Sequence, residues 1–214
     1  MKRILDKTKR KQQRGKGRGI EYKPYIKASE FNSNGTCSNV IDWKTGRNME
    51  LLSQGELAAF YTLRWDDRVF DIREQFPLEM HRVWEIGDKE GIRVSKNEEC
   101  VMTTDLLVTL TDGSERAYSI KYDRNELDNP RTVEKLYLEK MYWEQKGIQY
   151  QILFAQELNL TLVSNLRVVM EYYDINKVYD AVSLIKHKIA TKQILVNIEN
   201  EVLDFSEISK YVER

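Results

Sequence analysis

The stretch 56–65, ELAAFYTLRW, sets Leu57, Phe60, Tyr61 and either Leu63 or Arg64 at helical spacing. Just ahead of it, Ser53 and Glu56 stand three residues apart, a capping-box signature that opens the helix. Residues 69–75, VFDIREQ, alternate apolar and polar as a half-buried strand does, and Pro77 ends the run. Two β-prone runs, 105–110 and 116–122, flank the turn Thr111-Asp112-Gly113 and predict a hairpin. Pro130 and Thr132 start a second helix with Val133, Leu136, Tyr137 and Met141 on one face, and Gly147 sits at its C-terminal cap. A strand over 148–154 follows. The order α-β-β-β-α-β defines an α/β chain, a mixed sheet with helices packed on it.

The remaining stretches carry weaker patterns. Residues up to 48 read as irregular, and 79–99, dense in charge, as a surface insertion. Past 155, helical patterns over 162–173 and 178–192 precede an alternating run, 193–204, and a short helix over 207–213. That sequence of elements fits a small winged-helix-like module and equally a helical segment that pads the sheet. Three parts follow: a basic arm (1–27), a main domain (28–155) and a small C-terminal segment (156–214).

Charge changes this picture at one end. The 34 basic and 34 acidic side chains cancel, yet residues 1–27 hold eleven Lys/Arg against Asp6 and Glu21. A basic arm is therefore joined to an acidic body. In the arm, KTKRKQQRGKGRG (7–19) has glycines interrupting the cations, a pattern that argues against a stable helix. It reads either as a solvated tail or as an arm that follows a phosphate backbone, with Arg14, Lys16 and Arg18 as DNA contacts. Tyr22 and Tyr25 would stack on bases or anchor the arm to the body. Cys37 and Cys100, like His81 and His187, are isolated, which argues against a zinc site or a disulfide framework. No apolar run approaches the ~20 residues of a membrane span, and the charged N-terminus is unlike a secretory signal.

Three pieces carry candidate chemistry: Glu56 in the first turn of a helix, Asp105 at a strand start, and Ser119-Ile120-Lys121 on the next strand. Carboxylates are hard oxygen ligands suited to Mg²⁺, and a neighbouring lysine can position a nucleophile and offset charge on phosphorus. Asp105 and Lys121 serve one site only if they share a face. A two-residue loop would pair Asp105 with Ile120 and send Lys121 to the other side. A three-residue loop, with Gly113 left-handed, pairs Leu110 with Ser114 and Asp105 with Ser119, leaving Lys121 diagonally adjacent. The three-residue loop is therefore expected. Each residue also has a plainer role, Glu56 as the capping partner of Ser53, Asp105 as a strand cap and Lys121 as a surface charge.

The segments RGKGRG (14–19), LLSQGELAAFYTLRW (51–65), DIREQFPL (71–78), MTTDLLV (102–108), YSIKY (118–122) and RTVEKLYLEKMYWEQKGI (131–148) resemble the TnsA endonuclease family. Its members are subunits of heteromeric Tn-type transposases that cut the 5′ strands at transposon ends. The resemblance implies a restriction-endonuclease-like fold and a bacterial, cytoplasmic, Mg²⁺-dependent endonuclease, with Mn²⁺ as a possible substitute. It implies three partners: transposon-end DNA, a DDE-type transposase subunit and an AAA+ ATPase regulator. It carries the family's metal-binding glutamate and aspartate onto Glu56 and Asp105, and its lysine onto Lys121. The family pattern often has Gln or Glu two residues before the lysine. This chain has Ser119, expected to hold a metal-bound water. Two other readings stay open: a non-catalytic DNA-binding adaptor and a stand-alone nuclease of the same fold.

Overall fold

A computed structural model describes residues 5–30, 37–97, 100–206 and 211. The chain forms two compact units, Met1–Leu158 and Asn159–Arg214. In chain order the first unit contains α1 (Asp6–Lys11), β1 (Ser38–Ile41), β2 (Asn48–Leu51), α2 (Gln54–Arg64), β3 (Val69–Pro77), α3 (Met80–Glu90), β4 (Thr103–Leu110), β5 (Glu115–Lys121), α4 (Pro130–Glu144) and β6 (Gln149–Phe154). The second contains α5 (Leu160–Val169) and α6 (Ala181–Ala190).

The central sheet of the first unit runs β3-β4-β5-β6, antiparallel except for the parallel β5–β6 pair that α4 connects. A parallel pair needs such a crossover, which accounts for the mixed character of the sheet. Leu107 and Ala117 on one face pack with Val83 and Ile86 of α3 and with Leu138, Tyr142 and Trp143 of α4. Alternation sends Leu106, Tyr118 and Ile120 to the other face, where α2 packs. There Gly55 lets α2 approach, since a Cβ would lie 3.1 Å from the Ile120 side chain.

The locally encoded features form as read. Ser53 caps α2, its Oγ accepting the Glu56 N–H at 3.1 Å. The β4–β5 turn has three residues: Leu110 N–H donates to Ser114 O at 2.8 Å, and Gly113 is left-handed at φ +85. α4 starts at Pro130, and Asn129, not singled out from the sequence, caps it.

Other expectations are corrected. The charged stretch after Pro77 holds a helix, α3, because Met80, Val83 and Ile86 recur three apart and bury against the sheet. The region read as irregular contains β1, which forms a hairpin with β2 beginning at Asn48. On α4, Val133 and Tyr137 are exposed, and the buried face is Leu136, Leu138, Glu139, Tyr142 and Trp143. In the second unit the alternating run 193–204 forms turns, so the winged-helix reading gives way to a helical one. Its backbone is held by a side chain: Asn165 Nδ2 donates to Ile198 O and Glu201 O, and its Oδ1 accepts from Leu203 N. The helix expected over 207–213 falls mostly outside the described residues. Among the described residues, no helix is long and apolar enough to cross a membrane.

The arm is folded onto the body. Its start is helical, α1, and its glycine segment is a packed loop. Gly15 N–H donates to Lys23 O at 2.6 Å, and a Cβ on Gly15 would lie 2.3 Å from Pro77 Cγ. β3 is an edge strand, and an unpaired edge invites association with other chains. Its outward carbonyls are occupied instead. Arg64 Nη1 donates to Val69 O and Phe70 O, Arg47 Nη2 to Ile72 O, Tyr22 Oη to Glu74 O and Tyr25 N–H to Gln75 O. Fully buried ion pairs hold those arginines, Arg64 with Asp42 (2.6 Å) and Arg47 with Glu74 (2.7 Å).

Candidate active site

At one end of the sheet, β4 and β5 part. Their ladder stops at Leu106–Tyr118, and beyond it Asp105 Oδ2 accepts the Ile120 N–H at 2.7 Å. A side-chain carboxylate thus replaces a backbone partner, and the splayed strands open a cleft of about 580 Å³. Glu56, Gln75, Asp105, Lys121 and Glu126 all line it. The capping geometry of α2 delivers Glu56: Ser53 Oγ donates to its Oε1 at 3.1 Å, and Leu52 N–H to its Oε2 at 3.0 Å. The capping role and a place in the cleft are therefore compatible.

Gln75 was not anticipated from the sequence. It is a non-glycine residue with φ +48, buried at 3% exposure, and its conformation interrupts the alternation of β3. Its Nε2 donates to Glu56 Oε2 at 3.3 Å and to Asp105 Oδ1 at 3.4 Å, while its Oε1 accepts from Thr103 Oγ1 at 3.0 Å. The positive φ of an ordinary residue beside two carboxylates is the type of local strain that clusters at functional sites. No local sequence signal marks it.

The carboxyls are poised toward their neutral forms. Burial, then the nearby Asp105, pushes Glu56 up to about 8 against the opposing bonds from Leu52, Ser53 and Gln75. Burial also raises Asp105, with Lys121 the largest opposing influence. Like charges buried close together resist joint ionisation, and a nearby cation relieves that cost.

Ser119 is not in the cleft. It is 1% exposed, and its Oγ donates at 2.7 Å to Glu139 Oε2, which also accepts from Thr104 Oγ1 at 3.1 Å. The water-bridging role expected for Ser119 gives way to a bond inside the protein. Trp143 Nε1 donates to Thr104 Oγ1 at 2.8 Å and completes this network behind the site. Burial, then Asp105, pushes Glu139 up to about 8.

The three arm residues separate. Arg14 is buried at 6% exposure and pairs with Glu30 at 2.5 Å, so it is not available to a phosphate. Its spacing among exposed cations concealed that role. Arg18 pairs with Glu115 at 3.3 Å but is itself largely exposed, and Lys16 is exposed.

The donor set suits a hard divalent cation. Among the described residues no three His, Cys, Asp or Glu gather as a metal cluster. Two carboxylates completed by neutral oxygens and water is, however, the usual environment of Mg²⁺. Residues 66–154, which include Gln75, Asp105, Lys121 and Glu139 but not Glu56, match the family described as TnsA-like endonuclease N terminal. The chain is also 39% identical over 159 residues to the transposon Tn7 transposition protein TnsA of Escherichia coli. That match spans 73% of this chain and 58% of the relative. Over residues 66–154 the chain is thus similar to the TnsA-like endonuclease family.

Proposed function

We propose that the chain is the endonuclease subunit of a heteromeric transposase, a restriction-endonuclease-like, metal-dependent enzyme that hydrolyses the 5′ strands at transposon ends. The observation that carries this reading is the convergence of Glu56, Asp105 and Lys121 on one cleft from α2, β4 and β5. Glu56 and Asp105 would hold Mg²⁺, or Mn²⁺ in its place. When bound, the ion supplies charge stabilisation at the scissile phosphate and a more acidic water. The Lys121 ammonium, half-buried beside Asp105, offsets negative charge on the phosphate and orients the attacking water. Its Nζ now rests on Ile120 O at 3.2 Å, a weak tether that a substrate oxygen can replace. Ser119, Thr104 and Glu139 fix the two strands from behind.

On this reading a DDE-type transposase subunit cuts and joins the 3′ strands and supplies end recognition. An AAA+ ATPase regulator couples excision to target choice. The test is a strand-resolved excision assay with wild type and Asp105→Ala, with and without the transposase subunit. We expect 5′-strand cleavage by wild type in the presence of the partner, and at least a hundredfold loss in the variant. Cleavage that survives Asp105→Ala removes Asp105 from the metal site. Equal cleavage without the partner identifies a stand-alone nuclease.

A further inference from the structure

Two carboxylates leave the proposed metal site short of protein oxygens, and the position two residues before Lys121 contributes none, since the Ser119 hydroxyl faces Glu139. The remaining buried group that touches both carboxylates is the Gln75 amide. One nitrogen lies 3.3 Å from Glu56 and 3.4 Å from Asp105, between one oxygen of each carboxylate. A neutral amide cannot cancel two negative charges, but its N–H₂ group can satisfy one lone pair on each.

The other end of the amide is held by a group that works in either direction. Thr103 Oγ1 now donates to Gln75 Oε1 at 3.0 Å. A hydroxyl both donates and accepts, so after a half-turn of the amide the same oxygen accepts from Nε2. The backbone need not follow, because Tyr25 N–H holds Gln75 O and the left-handed φ is already set. Both orientations are therefore fully bonded, provided a cation replaces the N–H₂ group between the carboxylates.

Resting on the metal site proposed above, we infer that Gln75 is its third protein member, an amide that stands in for the cation when the site is empty. When a divalent ion binds, the amide turns and presents Oε1 to it, directly or through one water. Carbonyl oxygens of this kind are ordinary ligands of hard divalent cations. The left-handed turn in β3 then has a purpose, since regular alternation would not aim this side chain between Glu56 and Asp105.

The experiment is Mn²⁺ binding to the full chain, followed through the EPR signal of the free ion, for wild type, Gln75→Leu, Gln75→Asn and Asp105→Asn. Folding is checked by circular dichroism and thermal melting without metal. We expect Gln75→Leu and Gln75→Asn each to weaken Mn²⁺ binding about tenfold, the size of one lost neutral ligand, and Asp105→Asn to weaken it at least fiftyfold. Asparagine tolerates the left-handed backbone, so Gln75→Asn carries the test if the leucine variant does not fold. Binding by a folded Gln75 variant within twofold of wild type, alongside loss in Asp105→Asn, overturns the role of Gln75 and leaves the metal site standing. Unchanged binding by Asp105→Asn overturns both. The turn itself is read by NMR, where Mg²⁺ should shift the Gln75 side-chain N–H₂ pair, assigned by its absence in Gln75→Leu. A pair that does not move while Mg²⁺ binds overturns the turn.

Discussion

Glu139 shows how much a single buried side chain can set. It accepts two hydroxyl bonds from the strands that carry Asp105 and Lys121, yet burial makes its own charge unwelcome and pushes its carboxyl up to about 8. The sign follows from proton counting. Between the ordinary value of 4.5 and about 8, the folded chain holds a proton that the unfolded chain has released. The stability from this group is complete below the lower value and is lost as the pH rises toward the upper one. Glu139→Gln retains an acceptor for Ser119 and Thr104 and has no charge to bury. We expect this variant to be more stable than wild type at pH 8.5, by on the order of 2 kcal/mol, and to lose the advantage at pH 4. Urea melts at the two pH values check it, and an equal difference at both would show that the Glu139 charge is not what burial penalises. Glu56 contributes a slope of the same sign in both proteins, so the comparison isolates Glu139.

Among the elements, legibility followed locality. The Ser53 cap, the three-residue β4–β5 turn and the Pro130 start of α4 are each written in a few adjacent residues, but the turn fixes the register only as far as Leu106–Tyr118; beyond it the strands splay, and Asp105 and Lys121 reach the cleft while Ser119 does not. α3 was hidden because its apolar positions sit among charges, and only the sheet they pack against reveals their period. Gln75 and Glu139 were hidden for a different reason. Their partners are 19 to 35 residues away in sequence, and no spacing rule connects them. The glycine-rich loop of the arm was legible as irregular but not as packed. Its packing is testable with a matched pair. Gly15 and Gly113 are both left-handed, at φ +74 and +85, but a Cβ on Gly15 meets the rigid Pro77 ring, and one on Gly113 meets nothing within 4 Å. Gly113→Ala should cost about 1 kcal/mol through backbone strain alone. Gly15→Ala should cost about 1–2 kcal/mol more through the added overpacking, and should expose residues 5–30 to trypsin. Equal costs in thermal melts would mean that the loop yields freely at Pro77.

Across the whole molecule, the zero net charge describes a different balance once the arm is docked. Much of its positive charge is spent internally: Lys9 and Arg14 on Glu30, Arg10 on Asp6, and Arg18 on Glu115. Among the described residues, Lys7, Lys11, Lys16 and Lys23 remain exposed and outside the ion pairs, with Lys27 half-buried. Each phosphate neutralised contributes about 0.9 to the slope of log affinity against log salt concentration. Eleven free cations would give a slope near −10, whereas with four of them paired at most seven remain and the slope should be about −6 or shallower. Anisotropy titrations of a labelled duplex between 50 and 200 mM salt measure this directly. In the same titration Lys16→Ala should reduce the slope by about 1. Arg14→Ala should leave the slope unchanged while lowering the melting temperature, because it strips Glu30 of a buried partner. A slope near −10 for the wild type would mean that the arm leaves the body to bind DNA. A shallow slope would mean that the docked arm supplies only a small part of any grip on DNA.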